Sequence, residues 1–144
     1  MRSLKLDQAS TIVDAALAKG EKLGLRPLTV AVLDDGGHLK VFKRQDGPGA
    51  ALRPHIAIGK AWGAVGMGIS SRTLEQRALE RPHFVNALVG ASGGRLVPVA
   101  GGVLIRDAEG EVIGSVGISG DTSDNDEACA IVGIEAAGLI ADTG

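Results

Sequence analysis

The chain has 144 residues, of which 44% are apolar and 22% charged, and its formal net charge is −2. A chain of this size can bury a core without disulfides, and the lone Cys129 cannot form an internal bridge. The weak net charge, with two Phe, one Trp and no Tyr, argues against a nucleic-acid binder. Because no apolar run reaches the length of a membrane span or forms a signal core, we expect a single cytoplasmic domain over residues 1–144.

The first third of the chain predicts a helix followed by a β-hairpin. Apolar residues recur at near-helical spacing after Leu6, and Gly24 ends this pattern. Two runs rich in β-branched and alternating apolar residues, 28–33 and 38–44, then flank turn residues at 34–37. This is the strongest local signal in the sequence.

The middle of the chain predicts two or three helices. The first begins at Pro54, just after Arg53, and it contains or precedes four glycines, Gly59, Gly63, Gly66 and Gly68. Each interior glycine costs about 1 kcal/mol relative to alanine, so this face is expected to lie very close to a ligand, to the sheet or to a sister subunit. A second helix, capped by Thr73, runs to the break at Pro82, and residues 83–89 predict one more short helix.

The last third predicts three strands and a helix. Residues 96–99 read as an edge strand, and 103–107 with 112–119 read as a second hairpin. The final helix is expected to start at Asp124 and to continue to about Ile140. Hairpins imply antiparallel pairing, and the interspersed helices then predict an α+β domain with helices packed on the sheet.

Glycine-rich strand and turn strings recur along the chain, at 32–39, 44–47, 57–61, 98–103 and 110–120. Together with Asp126 and Glu127, these strings resemble the GlcG/HbpS family of haem-binding or haem-degrading small domains, which also includes the C-terminal domain of PduO-type proteins. The resemblance covers nearly the whole chain and implies a profilin-like, five-stranded antiparallel sheet between helices. It further implies a homo-oligomer and, in some members, bound haem.

Three histidines are candidates for contact with such a cofactor. His38, His55 and His83 do not follow a metal-ligand spacing, so we predict no metal site of their own. A neutral imidazole can nevertheless serve as an axial haem ligand. Haem also needs an apolar slot, to which Trp62 and Met67 can contribute.

Several other residues suit an anionic group on a ligand. Arg53 and Arg95 can pair bidentately with a carboxylate or a haem propionate, and Lys60 can neutralise one. Gly101 and Gly102 end a strand in a turn whose backbone N–H groups can form an anion-binding nest. We therefore predict a small-ligand-binding protein that holds a haem-like cofactor or a small organic carboxylate between the glycine-rich helix and the Gly101–Gly102 turn.

The charge distribution leaves other functions open. Residues 40–81 carry eight basic and three acidic side chains, whereas 107–144 carry nine acidic and no basic ones. The two blocks suit an anionic ligand or two complementary subunit faces. One alternative is an isomerase, lyase or hydrolase acting on a small organic acid, in which His55 or His83 moves a proton. Another is a structural accessory protein. The acidic run 121–127 can either cap the last helix or bind a hard cation.

Overall fold

The computed structural model describes residues 3–144, which form five helices and five strands. The helices are α1 (Leu6–Lys22), α2 (Arg53–Met67), α3 (Ser71–Glu80), α4 (Pro82–Ala91) and α5 (Ser123–Ala136). The strands are β1 (Thr29–Asp34), β2 (Leu39–Arg44), β3 (Gly102–Arg106), β4 (Val112–Ser119) and β5 (Ile140–Asp142). No helix within these residues is long and apolar enough to cross a lipid bilayer.

The five strands form one antiparallel sheet in the order β2-β1-β4-β3-β5. β1 and β4 pair in the interior of the sheet, from Thr29 opposite Ser119 to Asp34 opposite Gly114. Both predicted hairpins are present, and the turn of the first is held by the Asp34 carboxylate, which accepts a hydrogen bond from the backbone N–H of Gly36. The prediction of an α+β fold with a five-stranded antiparallel sheet flanked by helices is confirmed.

The two faces of the sheet differ in the size of their side chains. α1 and α5 pack on one face, and α2 packs on the other. The residues that face α1 and α5 are branched and apolar and include Val30, Val32, Val103, Ile105, Val116 and Ile118. The alternate residues, which face α2, are mostly small or polar and include Thr29, Ala31, Gly102, Ser115, Gly117 and Ser119. The second face therefore lets a helix approach closely.

α2 lies so close to the sheet that its backbone touches the strands. A Cβ added at Gly117 would overlap the carbonyl oxygen of Ala57, and one added at Gly102 would also overlap the backbone of α2. The hydroxyl of Ser115 donates a hydrogen bond to the carbonyl oxygen of Ala61, at 2.7 Å. These strand glycines are needed because any side chain would push the helix away from the sheet.

The prediction of a strand at 96–99 is wrong. This segment has no strand partner and crosses α2 instead, where the backbone N–H of Val97 donates to the carbonyl oxygen of Gly59 at 3.2 Å. The fifth strand is β5, which pairs with β3. Residues 96–99 favour β-structure, but the backbone of this segment is hydrogen-bonded to a helix rather than to a strand at the edge of the sheet.

Two predicted helix boundaries also differ. The N-cap of α3 is Ser70 rather than Thr73, and the Ser70 hydroxyl accepts a hydrogen bond from the Thr73 backbone N–H. The N-cap of α5 is Thr122 rather than Asp124, and this helix ends before Gly138, whose φ is +75°. A glycine in this left-handed conformation ends a helix. The predicted helix end at Ile140 is therefore wrong, and Ile140 lies in β5.

Candidate functional site

A groove runs along one face of α2 and is bordered by the end of α4 and the turn after it. It consists of two adjacent pockets, and we call it the α2–α4 groove. One pocket, of about 170 Å³, is lined by His55, Ile58, Gly59, Gly93, Gly94 and Arg95. The other, of about 150 Å³, is lined mainly by Trp62, Met67, Leu88 and Leu96. Both pockets are lined mainly by apolar surface, and the groove has an imidazole and an arginine at one end and an indole at the other.

Arg95 lies at the boundary between the two pockets. Its guanidinium carbon is 4.0 Å from the centroid of the Trp62 ring, which is a cation–π contact. Its Nε donates a hydrogen bond to the carbonyl oxygen of Ser92 at 2.9 Å. On the hairpin side, a Cβ at Gly37 would lie 3.2 Å from the indole nitrogen of Trp62, so this ring is held closely between two segments.

The structure brings only some of the predicted ligand residues together. His55, in the first turn of α2, is exposed and shares a pocket with Arg95, although 40 positions separate them in the sequence. His83 is exposed in the first turn of α4 and lines neither pocket of the groove. Arg53 is the first residue of α2 and lines a different pocket. His38 follows the hairpin turn and is exposed.

The glycine face of α2 contacts the chain itself. A Cβ at Gly59 would overlap Val97 and would lie 2.7 Å from the carbonyl oxygen of Arg95. A Cβ at Gly63 would lie 3.0 Å from Leu96. The sequence left a ligand, the sheet or a sister subunit as the alternatives. At these two glycines the close neighbour is none of the three but the 95–97 segment of the same chain.

Lys60 lies inside the protein, on the sheet side of α2. Its Nζ donates hydrogen bonds to the carbonyl oxygen of Ile118, at 2.9 Å, and to the Asp126 carboxylate, at 3.3 Å. Burial lowers the pKa of Lys60, and the negative charge of Asp126 opposes this effect. The lysine thereby ties α2 to β4 and α5. The sequence analysis did not predict this pair, although the position of Lys60 among alanines and glycines was a usable signal of a buried helix face.

The Gly101–Gly102 turn is packed under Lys60. A Cβ at Gly101 would lie 2.8 Å from the Nζ of Lys60, and the backbone N–H of Gly102 donates to the hydroxyl of Ser71 at 2.6 Å. The predicted ligand space between this turn and α2 is filled by protein atoms. Ligand contact by Lys60, Gly101 or Gly102 stays a prediction, and the α2–α4 groove lies on the other side of the helix.

The acidic run at 121–127 is engaged in ion pairs and hydrogen bonds. Asp124 and Glu127 both pair with Arg72 of α3, a partner that sequence reasoning missed, and these bonds raise the pKa of Arg72. Asp126 pairs with Lys60. Within residues 3–144, no group of three or more His, Cys, Asp or Glu side chains is arranged to hold a metal ion.

The fold and the groove define a small α+β protein with an open, largely apolar cleft along one helix. The family model described as haem degrading protein HbpS-like matches residues 4–135. The chain therefore belongs to the HbpS-like family, as the sequence motifs predicted. A search of the curated proteins found no significant match to this chain.

Several solved structures share the fold. PduOC, solved in complex with heme, is 25% identical with a TM-score of 0.86, and the match covers 98% of this chain and 99% of that one. HbpS is 29% identical with a TM-score of 0.79, covering 94% of this chain and 90% of that one. Klebsiella pneumoniae protein ORFY has a TM-score of 0.85 at 22% identity, covering 96% and 92% of the two chains, and this likeness concerns the fold alone.

Proposed function

We propose that this protein binds haem in the α2–α4 groove, with His55 as an axial ligand of the iron. Membership of the HbpS-like family and the heme complex of PduOC support a small haem- or ligand-binding protein. The observation that carries the finer proposal is the groove itself, which joins an exposed imidazole, an arginine and an apolar wall on one face of α2.

The donor chemistry of the groove fits haem. The His55 imidazole is solvent-accessible and can present a ring nitrogen to iron. Trp62, Met67 and Leu88 form an apolar wall of the kind that a tetrapyrrole face needs. Arg95 can pair with a propionate through its planar fork of donors. When bound, haem would supply an iron centre for one-electron or oxygen chemistry.

The size of the groove sets a condition on this binding. The two pockets, of about 170 and 150 Å³, are each smaller than the roughly 300–1,000 Å³ of ordinary small-molecule sites. The Arg95 side chain lines one pocket and stacks on Trp62, which lines the other. We therefore propose that Arg95 leaves the Trp62 ring when haem enters, which joins the two pockets and frees the guanidinium for a propionate.

We propose that a second copy of the chain packs against the outer side of α4. This helix is largely apolar, yet Val85 is its one buried residue, and Leu88 and Val89 are only half-buried. A half-open site next to such a helix suits a homo-oligomer, as the resemblance implied. Sedimentation velocity at micromolar concentration is expected to show more than one copy per particle, and a monomer would contradict this proposal.

Titration with hemin tests the proposed site. The wild-type protein is expected to shift the Soret band at saturation and to quench the fluorescence of Trp62, the single tryptophan. His55→Ala is expected to lose the spectrum of a histidine-ligated iron and to weaken binding about tenfold or more, which corresponds to about 1.4 kcal/mol. His83→Ala removes a similarly exposed histidine outside the groove and serves as the matched control. Equal spectra for both variants would contradict the role of His55.

A further inference from the structure

We propose a second binding site, for a short-chain monocarboxylate, at the N-terminal end of α2 and separate from the α2–α4 groove. The site is a pocket of about 250 Å³ whose lining includes Arg26, Gly49, Arg53, Ile56, Gly120 and Asp121. It lies where α2 begins, so the positive end of the helix dipole also faces this region.

The main observation is a buried guanidinium without a counterion. Arg53 is only 7% exposed. One of its donors, Nη1, reaches the carbonyl oxygen of Pro27 at 2.6 Å, whereas its buried Nε has no hydrogen-bond partner. Among the ion pairs formed within residues 3–144, none includes Arg53. A buried charge without an opposite charge is costly, and a bound anion would offset that cost.

The 47–50 loop covers this guanidinium directly. A Cβ added at Gly49 would overlap three atoms of the Arg53 guanidinium group. The loop therefore lies against the charged group with no side chain between them. Gly49→Ala would displace the guanidinium without removing its positive charge. This variant therefore tests whether the position of the group matters separately from its charge.

The other charges of the pocket favour a singly charged ligand. Asp121 accepts a hydrogen bond from the Arg26 backbone N–H at 3.1 Å and lies 3.7 Å from the Arg26 Nε. The side-chain hydrogen bond from Asn125 is the largest of the effects that lower the pKa of Asp121 to about 2, so this carboxylate stays ionised. It partly neutralises Arg26 and repels a dianion more than a monoanion. Arg53 thus provides the uncompensated positive charge, and Ile56 offers contact for a short alkyl chain.

The Arg53 Nε–H resonance of ¹⁵N-labelled protein reports on this site directly. Titration with sodium propionate is expected to shift it along a saturable curve. Sulfate, as the doubly charged probe, is expected to bind at least tenfold more weakly. The absence of a saturable shift with propionate would overturn the site, and equal or tighter binding of sulfate would overturn the assignment to monocarboxylates. This experiment needs no variant that could fail to fold.

Three variants then separate geometry from charge, with propionate binding measured by calorimetry. Arg53→Lys keeps the charge but loses the planar fork, and Gly49→Ala displaces the fork, so both are expected to weaken binding tenfold or more. His83→Ala, outside both sites, is expected to bind propionate like the wild type. Wild-type binding by folded Arg53→Lys and Gly49→Ala proteins would overturn the role of the fork.

Discussion

The Lys60–Asp126 ion pair is buried, and replacing Lys60 with an apolar residue is expected to destabilise the fold strongly. The two side chains are 4% and 1% exposed, so water cannot replace either partner. Lys60→Met would leave the Asp126 carboxylate with the Asp121 backbone N–H as its remaining hydrogen-bond donor. Removal of one partner of a buried pair typically costs about 3–5 kcal/mol. The free energy of unfolding of native proteins is about 5–15 kcal/mol, so a measurable fraction of this variant should remain folded.

Urea unfolding followed by circular dichroism measures this loss. Lys43→Met is the matched control, because the Lys43–Asp14 pair is exposed, at 53% and 60%, and should contribute less than about 1 kcal/mol. The double variant Lys60→Met/Asp126→Leu is expected to be more stable than Lys60→Met alone, since it no longer buries an unpaired charge.

The pH dependence of the Lys60→Met penalty provides a second check. Burial raises the pKa of Asp126, and without Lys60 the hydrogen bond from the Asp121 backbone N–H is the remaining effect that lowers it. A carboxyl group whose pKa is raised in the folded state favours folding more as the pH falls through that pKa. The destabilisation should therefore shrink as the pH falls from 7 towards the ordinary carboxyl range. A penalty below about 1 kcal/mol at pH 7, or one independent of pH, would contradict a buried, unpaired Asp126 carboxylate in this variant.

Three further predictions concern the packing of α2, an acidic residue and the lone thiol. Gly117→Ala should lower stability by about 1–3 kcal/mol in urea unfolding, because its Cβ meets the carbonyl oxygen of Ala57. The pKa of Asp121 is lowered to about 2, chiefly by Asn125, so its stabilisation is present above about pH 4 and is lost as the pH falls towards 2; Asp121→Asn should flatten the stability curve there. Burial raises the pKa of Cys129 to about 11, so an aromatic disulfide reagent at pH 8 should label it only after unfolding.

Local sequence patterns predicted most of the secondary structure. The hairpin turn at Asp34 and the periodic apolar residues of α1 depend on near neighbours, and the structure contains both elements. The prediction of a strand at 96–99 failed because the hydrogen-bond acceptor of this segment is the carbonyl oxygen of Gly59, which lies far away in the sequence. β5 was missed because three residues are too few to show an alternating pattern.

The candidate site was predicted only as separate residues. The sequence singled out His55 and Arg95 by residue type, but the contact between Arg95 and Trp62 depends on how the chain after α4 crosses α2. Whether a cationic side chain is buried, and which carboxylate it pairs with, also depend on the fold. Lys60 and Arg53 looked alike as cations, yet one has an internal carboxylate partner and the other has none among the described residues.

A crystal structure of the hemin-loaded protein would show whether haem occupies the α2–α4 groove. We expect a tetrapyrrole between α2 and α4, with its iron bound by His55 and with the Arg95 side chain moved away from the Trp62 ring. Haem at another place, or in the groove with His55 unligated and Arg95 still stacked on the indole, would contradict it.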